Sequence, residues 1–225
     1  MKHTILSLLI IAICWPANNL NGQSLPNNSL LTIARLKYAG GGDWYNDPSI
    51  IPNLLNFIRQ ETTVLTAADE KKVEIMDQEL FSYPILFLTG HGKIALSDDE
   101  VARLRLYLTR GGFLYADDDY GMDKFFRDAM KKVFPDKELV ELPFQHPIYH
   151  CHFHFDNGVP KIHEHDGGPP HAYGIFHEGR MVVYYTFNTN ISDGWADPEV
   201  HHDPEEIRLQ ALKMGVNIVI YALTY

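Results

Sequence analysis

The order of apolar and polar positions is clearest between residues 84 and 116. Ile85–Leu88 (ILFL) is a short unbroken apolar run, which predicts a strand buried on both faces. It ends in Thr-Gly-His-Gly. Ser97-Asp98-Asp99-Glu100 then has the form of a capping box, with Ser97 and Glu100 placed to satisfy each other's backbone amides. Val101, Leu104 and Leu108 follow at i, i+3 and i+7 with arginines between them, so a helix lays one face on a sheet. Gly111 and Gly112 stop it, and Phe113–Ala116 reads as the next strand. Strand, helix and strand in so short a span predict a βαβ unit with a parallel pair.

The flanking segments carry weaker patterns of the same kind. Residues 30–38 predict a first strand that runs into the glycine-rich loop GGGDWYND. A helix enters between Pro48 and Pro52 and runs to Gln60, followed by a strand over Thr62–Leu65. Asp117–Tyr120 is expected as a loop. Residues 121–133 predict a helix with Phe125, Phe126, Ala129, Met130 and Val133 apolar, closed by Phe134-Pro135. Residues 139–180 look irregular and rich in His, Pro and Gly. Arg180–Asn188 predicts a late strand. Asp203-Pro204 starts a last helix, apolar almost all round over Met214–Leu223. These elements imply a single α/β domain over residues 30–225, a three-layer sandwich on a mostly parallel sheet.

The first residues change that picture little. Lys2, the apolar run ILSLLIIAICW and a polar stretch after Pro16 have the anatomy of a secretory signal peptide over residues 1–22. Residues 23–29 read as a disordered lead-in. The expected location is therefore exported, periplasmic or extracellular. No later run is long enough to span a bilayer. The net charge of −10 and the lack of any basic run argue against nucleic acid as a partner. Loss of the leader removes Cys14 and leaves Cys151 alone, so an intramolecular disulfide is excluded in the mature chain.

In open parallel sheets, ligands bind beyond the carboxyl ends of the strands, near the point where strand order reverses. Three loops are expected at that edge. They bring Gly41, Gly42, Asp43, Trp44, Gly90, His91, Gly92, Asp117, Asp118, Asp119 and Tyr120 to one rim, a composition suited to a small polar ligand. The glycines do not form G-x-G-x-x-G and no P-loop lysine follows, so phosphate binding is not indicated. Three adjacent carboxylates repel one another, and a cation or an outside donor would relieve them.

Histidine is the other unusual feature. HPIYHCHFHF (146–155) holds four histidines, and His150, His152 and His154 alternate strictly. On a strand their side chains would share a face, with Cα atoms ~6.7 Å apart. They are the candidate ligands for a transition metal such as zinc. Neutral imidazole is required, so affinity would fall below about pH 6. His163 and His165 repeat the spacing. The alternation is equally explained by a solvated face, with Cys151, Phe153 and Phe155 turned to the core.

Together, RLKYAGGGDWY, LFLTGHGKIALSDDEVARLRLYLTRGGFLYADDDYG and HPIYH resemble the bacterial family described as domain of unknown function 4159, across about residues 30–225. The wider pattern is similar to the class I glutamine amidotransferase-like superfamily, including its trehalose-utilisation type. That resemblance implies a flavodoxin-like α/β sandwich and brings no established reaction. Amidotransferases place a cysteine at the turn where this chain has Asp117-Asp118-Asp119, and Cys151 lies well outside it. Any chemistry therefore falls to carboxylates or a metal. Three functions are expected in order: binding of a small polar ligand such as a saccharide; metal-dependent hydrolysis with Asp118 or Asp119 as base or ligand and His91, His150 or His152 assisting; and a non-catalytic role in an envelope complex.

Overall fold

The computed structural model describes residues 30–163 and 165–225. The predicted signal peptide and lead-in lie outside the described residues. The strands are β1 (Ile33–Lys37), β2 (Lys71–Glu74), β3 (Ile85–His91), β4 (Phe113–Tyr120), β5 (Val140–Glu141), β6 (His171–His177) and β7 (Arg180–Phe187). They form one seven-stranded sheet in the order β2-β1-β3-β4-β7-β6-β5. The strands from β2 to β7 in that order run parallel, and β6 and β5 extend the sheet as an antiparallel edge.

Helices cover both faces. α1 (Ile50–Glu61) and α5 (Glu205–Thr224) bury Ile51, Leu54, Ile58, Met214 and Ile218 against Ile33, Phe87 and Tyr115. α2 (Asp98–Thr109) and α3 (Asp123–Val133) bury Leu104, Leu108, Phe126 and Met130 against Leu36, Leu86 and Leu114 on the other face. Alternate residues of ILFL thus serve different cores, which is why the whole run is apolar. The capping box forms as expected: the Glu100 amide donates to Ser97 Oγ (3.3 Å) and the Ser97 amide donates to Glu100 Oε2 (2.7 Å).

Four expectations need correction. Thr62–Leu65 is not a strand: the Thr62 hydroxyl donates to the Ile58 carbonyl, its oxygen accepts from the Val64 amide, and the segment closes α1 instead. The strand comes later as β2, KKVE, where Val73 alone is buried. Asp117–Tyr120 is not a loop but the end of β4, paired through Thr89↔Asp117, Gly90↔Asp118 and His91↔Tyr120 with β3. Within the stretch read as irregular, His171–His177 forms β6, hairpin-paired with β7. Residues 150–154 lie outside any strand.

From β1 the chain steps outward to β2, then crosses back to β3. Strand order reverses there, and the crevice beyond the carboxyl ends of β1 and β3 is where such sheets bind ligands. Among the described residues no helix is long and apolar enough to cross a membrane.

Candidate metal centre at the carboxyl edge of the sheet

Two strand ends meet first. Gly42 and Gly90 are packed so closely that a Cβ on either would lie 2.7 or 2.5 Å from the Tyr38 hydroxyl. Gly90 also has φ +134°, which strongly favours glycine. This contact seats Asp43 beside His91. The His91 amide donates to Asp43 Oδ1 (2.5 Å), and His91 Nδ1 lies 3.0 Å from Asp43 Oδ2 and 3.2 Å from Asp119 Oδ2. Burial works against the Asp43 charge, but the His91 amide and ring outweigh it and hold Asp43 below the usual carboxylate range. Gly41 and Gly92 make open turns. Trp44 leans on the α2/α3 face, with Lys37 over its ring and Tyr45 against its edge, and does not line the cleft described below.

The aspartate run divides by function because successive strand residues face opposite ways. Asp117 is fully buried; Thr186 Oγ1 (2.5 Å) and the Ser192 amide (2.6 Å) donate to it, and burial raises its pKa. Asp118 points to the other face and accepts from the amide of Met122 (2.9 Å), the residue just before α3. Burial, joined by the charges of Asp117, Asp123 and Asp119, pushes Asp118 up to about 7. Asp119 accepts from Asn46 Nδ2 and Asn190 Nδ2, and burial raises its pKa; both Asp118 and Asp119 line the cleft described below.

A fourth strand end, that of β7, supplies what the sequence reading missed. Ile162 and His163 donate their amides to the Thr189 carbonyl, so the segment carrying His163 and His165 is bound to the loop after β7. Further along that loop Asp193 opens a short 3-10 turn, Asp193–Trp195. Trp195 is buried, donating to the Ala211 carbonyl (2.8 Å). A Cβ at Gly194 would lie 2.3 Å from Ala211 Cβ, so glycine lets the turn sit directly on α5. Asp47 enters from the β1 side. Its loop is held by Arg35, wholly buried and paired with Glu70 (2.8 Å), whose guanidinium donates to the carbonyls of Trp44, Asn46 and Asp47. His201 comes from the short helix α4 (Pro198–His201) and lies 3.0 Å from Asp47 Oδ2.

Two groups that could hold a metal ion result: His163, His165 and Asp193, and Asp47, Asp193 and His201, with the candidate ligand atoms in each within 4.8 Å of one another. Asp193 belongs to both. Burial and the nearby Asp119 push Asp193 up to about 9. Loss of solvation, with His163 and His91 close by, holds His165 below the ordinary imidazole value. Asn190 Nδ2 lies near Asp119 Oδ1 (2.9 Å), Asp193 Oδ2 (3.2 Å) and His165 Nε2 (2.8 Å). Two amide protons cannot serve three acceptors. Asp47, Asn188, Asn190 and His202, with φ between 44° and 58°, place non-glycine residues in the left-handed region around this cluster.

The first histidine cluster is built differently. His150 Nε2 lies 2.8 Å from the Phe144 carbonyl, the His150 and His154 rings are 5.7 Å apart, and His152 packs on Phe153. Among the described residues none of the three belongs to a metal-capable set. Cys151, Phe153 and Phe155 turn to the core, the solvated-face alternative. Burial pushes the Cys151 thiol up to about 11, which makes it a poor nucleophile.

Beside Asp119 and His165 opens a cleft of about 370 Å³, lined also by Tyr120, Lys124, Asn188 and Asn190. The Tyr120 ring lies 4.7 Å from that of His165. A larger groove of about 1120 Å³ lies at the opposite end of the sheet, among Leu31, Ala67, Lys71 and Pro84, and its lining contains no histidine.

The family model described as domain of unknown function (DUF4159) matches residues 32–223. The chain belongs to this family. No curated protein matches this DUF4159 chain.

Proposed function

We propose that this DUF4159 protein is a divalent-metal-dependent hydrolase of a small polar substrate. The observation that carries the reading is the convergence of His163, His165, His201, Asp47 and Asp193 beside the Asp43–His91–Asp119 group. A bound divalent ion would supply an activated water. His91 presents Nδ1 to Asp43 and Asp119, which orients the ring and leaves Nε2 to accept a proton. The cleft beside Tyr120 and His165 takes the substrate, and the exposed Tyr120 face suits a flat or sugar-like group. Simple polar-ligand binding, the first sequence expectation, thus becomes the substrate half of the second.

Two finer readings accompany it. The parallel strands follow the order β2-β1-β3-β4-β7, the flavodoxin-like order of 2-1-3-4-5 in sequence terms, which supports an amidotransferase-like ancestry in which carboxylates replaced the thiol. Residues 1–22 are read as an export leader. Amino-terminal sequencing of the mature protein tests that, with a start near Gln23 expected and an intact Met1 overturning it.

The decisive experiment joins a divalent-ion panel in thermal-shift assays to a hydrolysis screen over ester, amide, glycoside and phosphoester substrates. An ion-dependent gain in melting temperature is expected, with turnover lost in chelator and in His91→Ala. Failure of every ion to stabilise the fold, or turnover indifferent to chelator, overturns the reading.

A further inference from the structure

We infer that the centre holds two divalent ions bridged by the Asp193 carboxylate. This rests on the metal reading above and specifies its nuclearity. The two oxygens of Asp193 address different neighbours. Oδ1 lies 3.8 Å from His201 Nε2, which in turn lies 3.0 Å from Asp47 Oδ2. Oδ2 lies 3.2 Å from Asn190 Nδ2, the amide that also touches His165 Nε2. One carboxylate therefore stands between an Asp47–His201 set and a His163–His165 set, each with its ligand atoms within 4.8 Å. Two donors each about 2.0–2.2 Å from one zinc ion are roughly 3–4 Å apart, close to the spacing each set already has.

The surroundings call for more positive charge than one ion brings. Among the described residues, every cationic partner within 4.0 Å of the side-chain carboxylates of Asp43, Asp47, Asp119, Asp193 and Asp203 is an imidazole. No lysine or arginine reaches those carboxylates, Arg35 meeting Asp47 at its backbone carbonyl alone. In addition, Asn46 Oδ1 and Asp203 Oδ2 are buried without a hydrogen-bond partner, and they belong to residues that contact Asp119 and His163 respectively. Buried acceptors left unpaired in this way are costly and point to an ion or its bound water. Asp193 itself opens a turn seated on α5 through the buried Trp195, which donates to the Ala211 carbonyl, and through the close fit of Gly194.

The test uses the full chain, purified without a histidine tag and titrated with Mn²⁺, followed by calorimetry and electron paramagnetic resonance. Two ions per chain are expected, with a spin-coupled spectrum replacing the six-line signal of isolated Mn²⁺. His165→Ala and His201→Ala should each retain one ion and lose the coupling. Asp193→Asn should lose both, with its near-ultraviolet dichroism unchanged as the check on folding. If Asp193→Asn fails to fold, the two histidine variants decide alone. One ion per chain, or two uncoupled ions, overturns the bridge and leaves the hydrolase reading standing. No ion at all overturns both.

Discussion

Two stretches of this chain carry the same His-x-His spacing and end in different circumstances. His150, His152 and His154 sit on a segment whose Ile148, Tyr149, Phe153 and Phe155 belong to the core packed around α5, so the histidines are what remains on the outside. His163 and His165 sit on a segment tied by two backbone hydrogen bonds to the loop leaving β7, so they arrive at the sheet's carboxyl edge, where Asp193 and, through it, Asp47 and His201 complete the sets. Spacing alone does not make a ligand set. What separates the two is the element to which each segment is fastened.

The largest effect should come from exchanging one cluster for the other in mutagenesis. His163→Ala with His165→Ala is expected to weaken binding of one of the two ions about a thousandfold, close to 4 kcal/mol, whereas His150→Ala, His152→Ala and His154→Ala together leave both within about twofold of the wild type. Calorimetric titration decides it, and equal losses from both sets would erase the distinction.

Next is the fastening of the first segment. Asn217, fully buried on α5, donates to the carbonyls of Ile148 (2.9 Å) and Phe153 (2.8 Å) and accepts from the Phe153 amide (2.8 Å). Asn217→Ala leaves those groups unpaired and should cost about 2–3 kcal/mol in urea unfolding, with ion affinity unchanged. A loss of ion affinity matching the loss of stability would mean that the two segments are mechanically one.

The same contrast runs within the aspartate triplet. Because burial raises Asp118 to about 7, its contribution to stability is fully present below the unfolded value near pH 4 and is lost as pH rises through 7. Asp118→Asn keeps an oxygen to accept from the Met122 amide. It should therefore stabilise the protein by about 1–2 kcal/mol at pH 8 and change nothing at pH 4. Asp119→Asn, by contrast, should remove activity. Denaturation at both pH values checks the first statement, and destabilisation by Asp118→Asn at pH 8 would refute it.

The smallest effect concerns His146, whose ring packs against Phe176 and Tyr221 and whose Nδ1 accepts from the Ile148 amide. Burial lowers its pKa, so the stability it contributes is present above about pH 6.5 and is lost as pH falls through the folded value. Melting temperatures of His146→Gln should fall less steeply from pH 7 to 5 than those of the wild type; parallel curves would assign the acid response elsewhere.

The elements legible in the sequence were those whose signals are local. The β3–α2–β4 unit announces itself through a buried apolar run, a capping box and a glycine stop. β2 does not, since an edge strand with only Val73 buried carries no alternation worth reading. β6 hides behind Ala172 and Gly174, where a Cβ would meet Met181 Sδ at 2.7 Å, so smallness rather than hydrophobicity is what the position needs. Three aspartates read as a loop because acids disfavour strands, yet donors from Thr186 and Ser192 keep Asp117 in one. At the proposed site, the expected juxtaposition of Asp43, His91 and Asp119 at the strand ends is present, with Tyr120 beside Asp119 in the cleft. Asp47, Asp193 and His201 were not expected there, since nothing in their own neighbourhoods marks them; β7 was expected as a strand, but its outgoing loop was not counted at the rim.

The hydrogen bond from the Ser192 amide to the buried Asp117 carboxylate has a further consequence. It ties the residue just before Asp193 to the interior of β4, so the site's central acid takes its position from inside the sheet. In the descent of related chains, replacement of Asp117 and remodelling of the 192–193 turn should therefore be inherited together, as covarying columns far apart in the alignment.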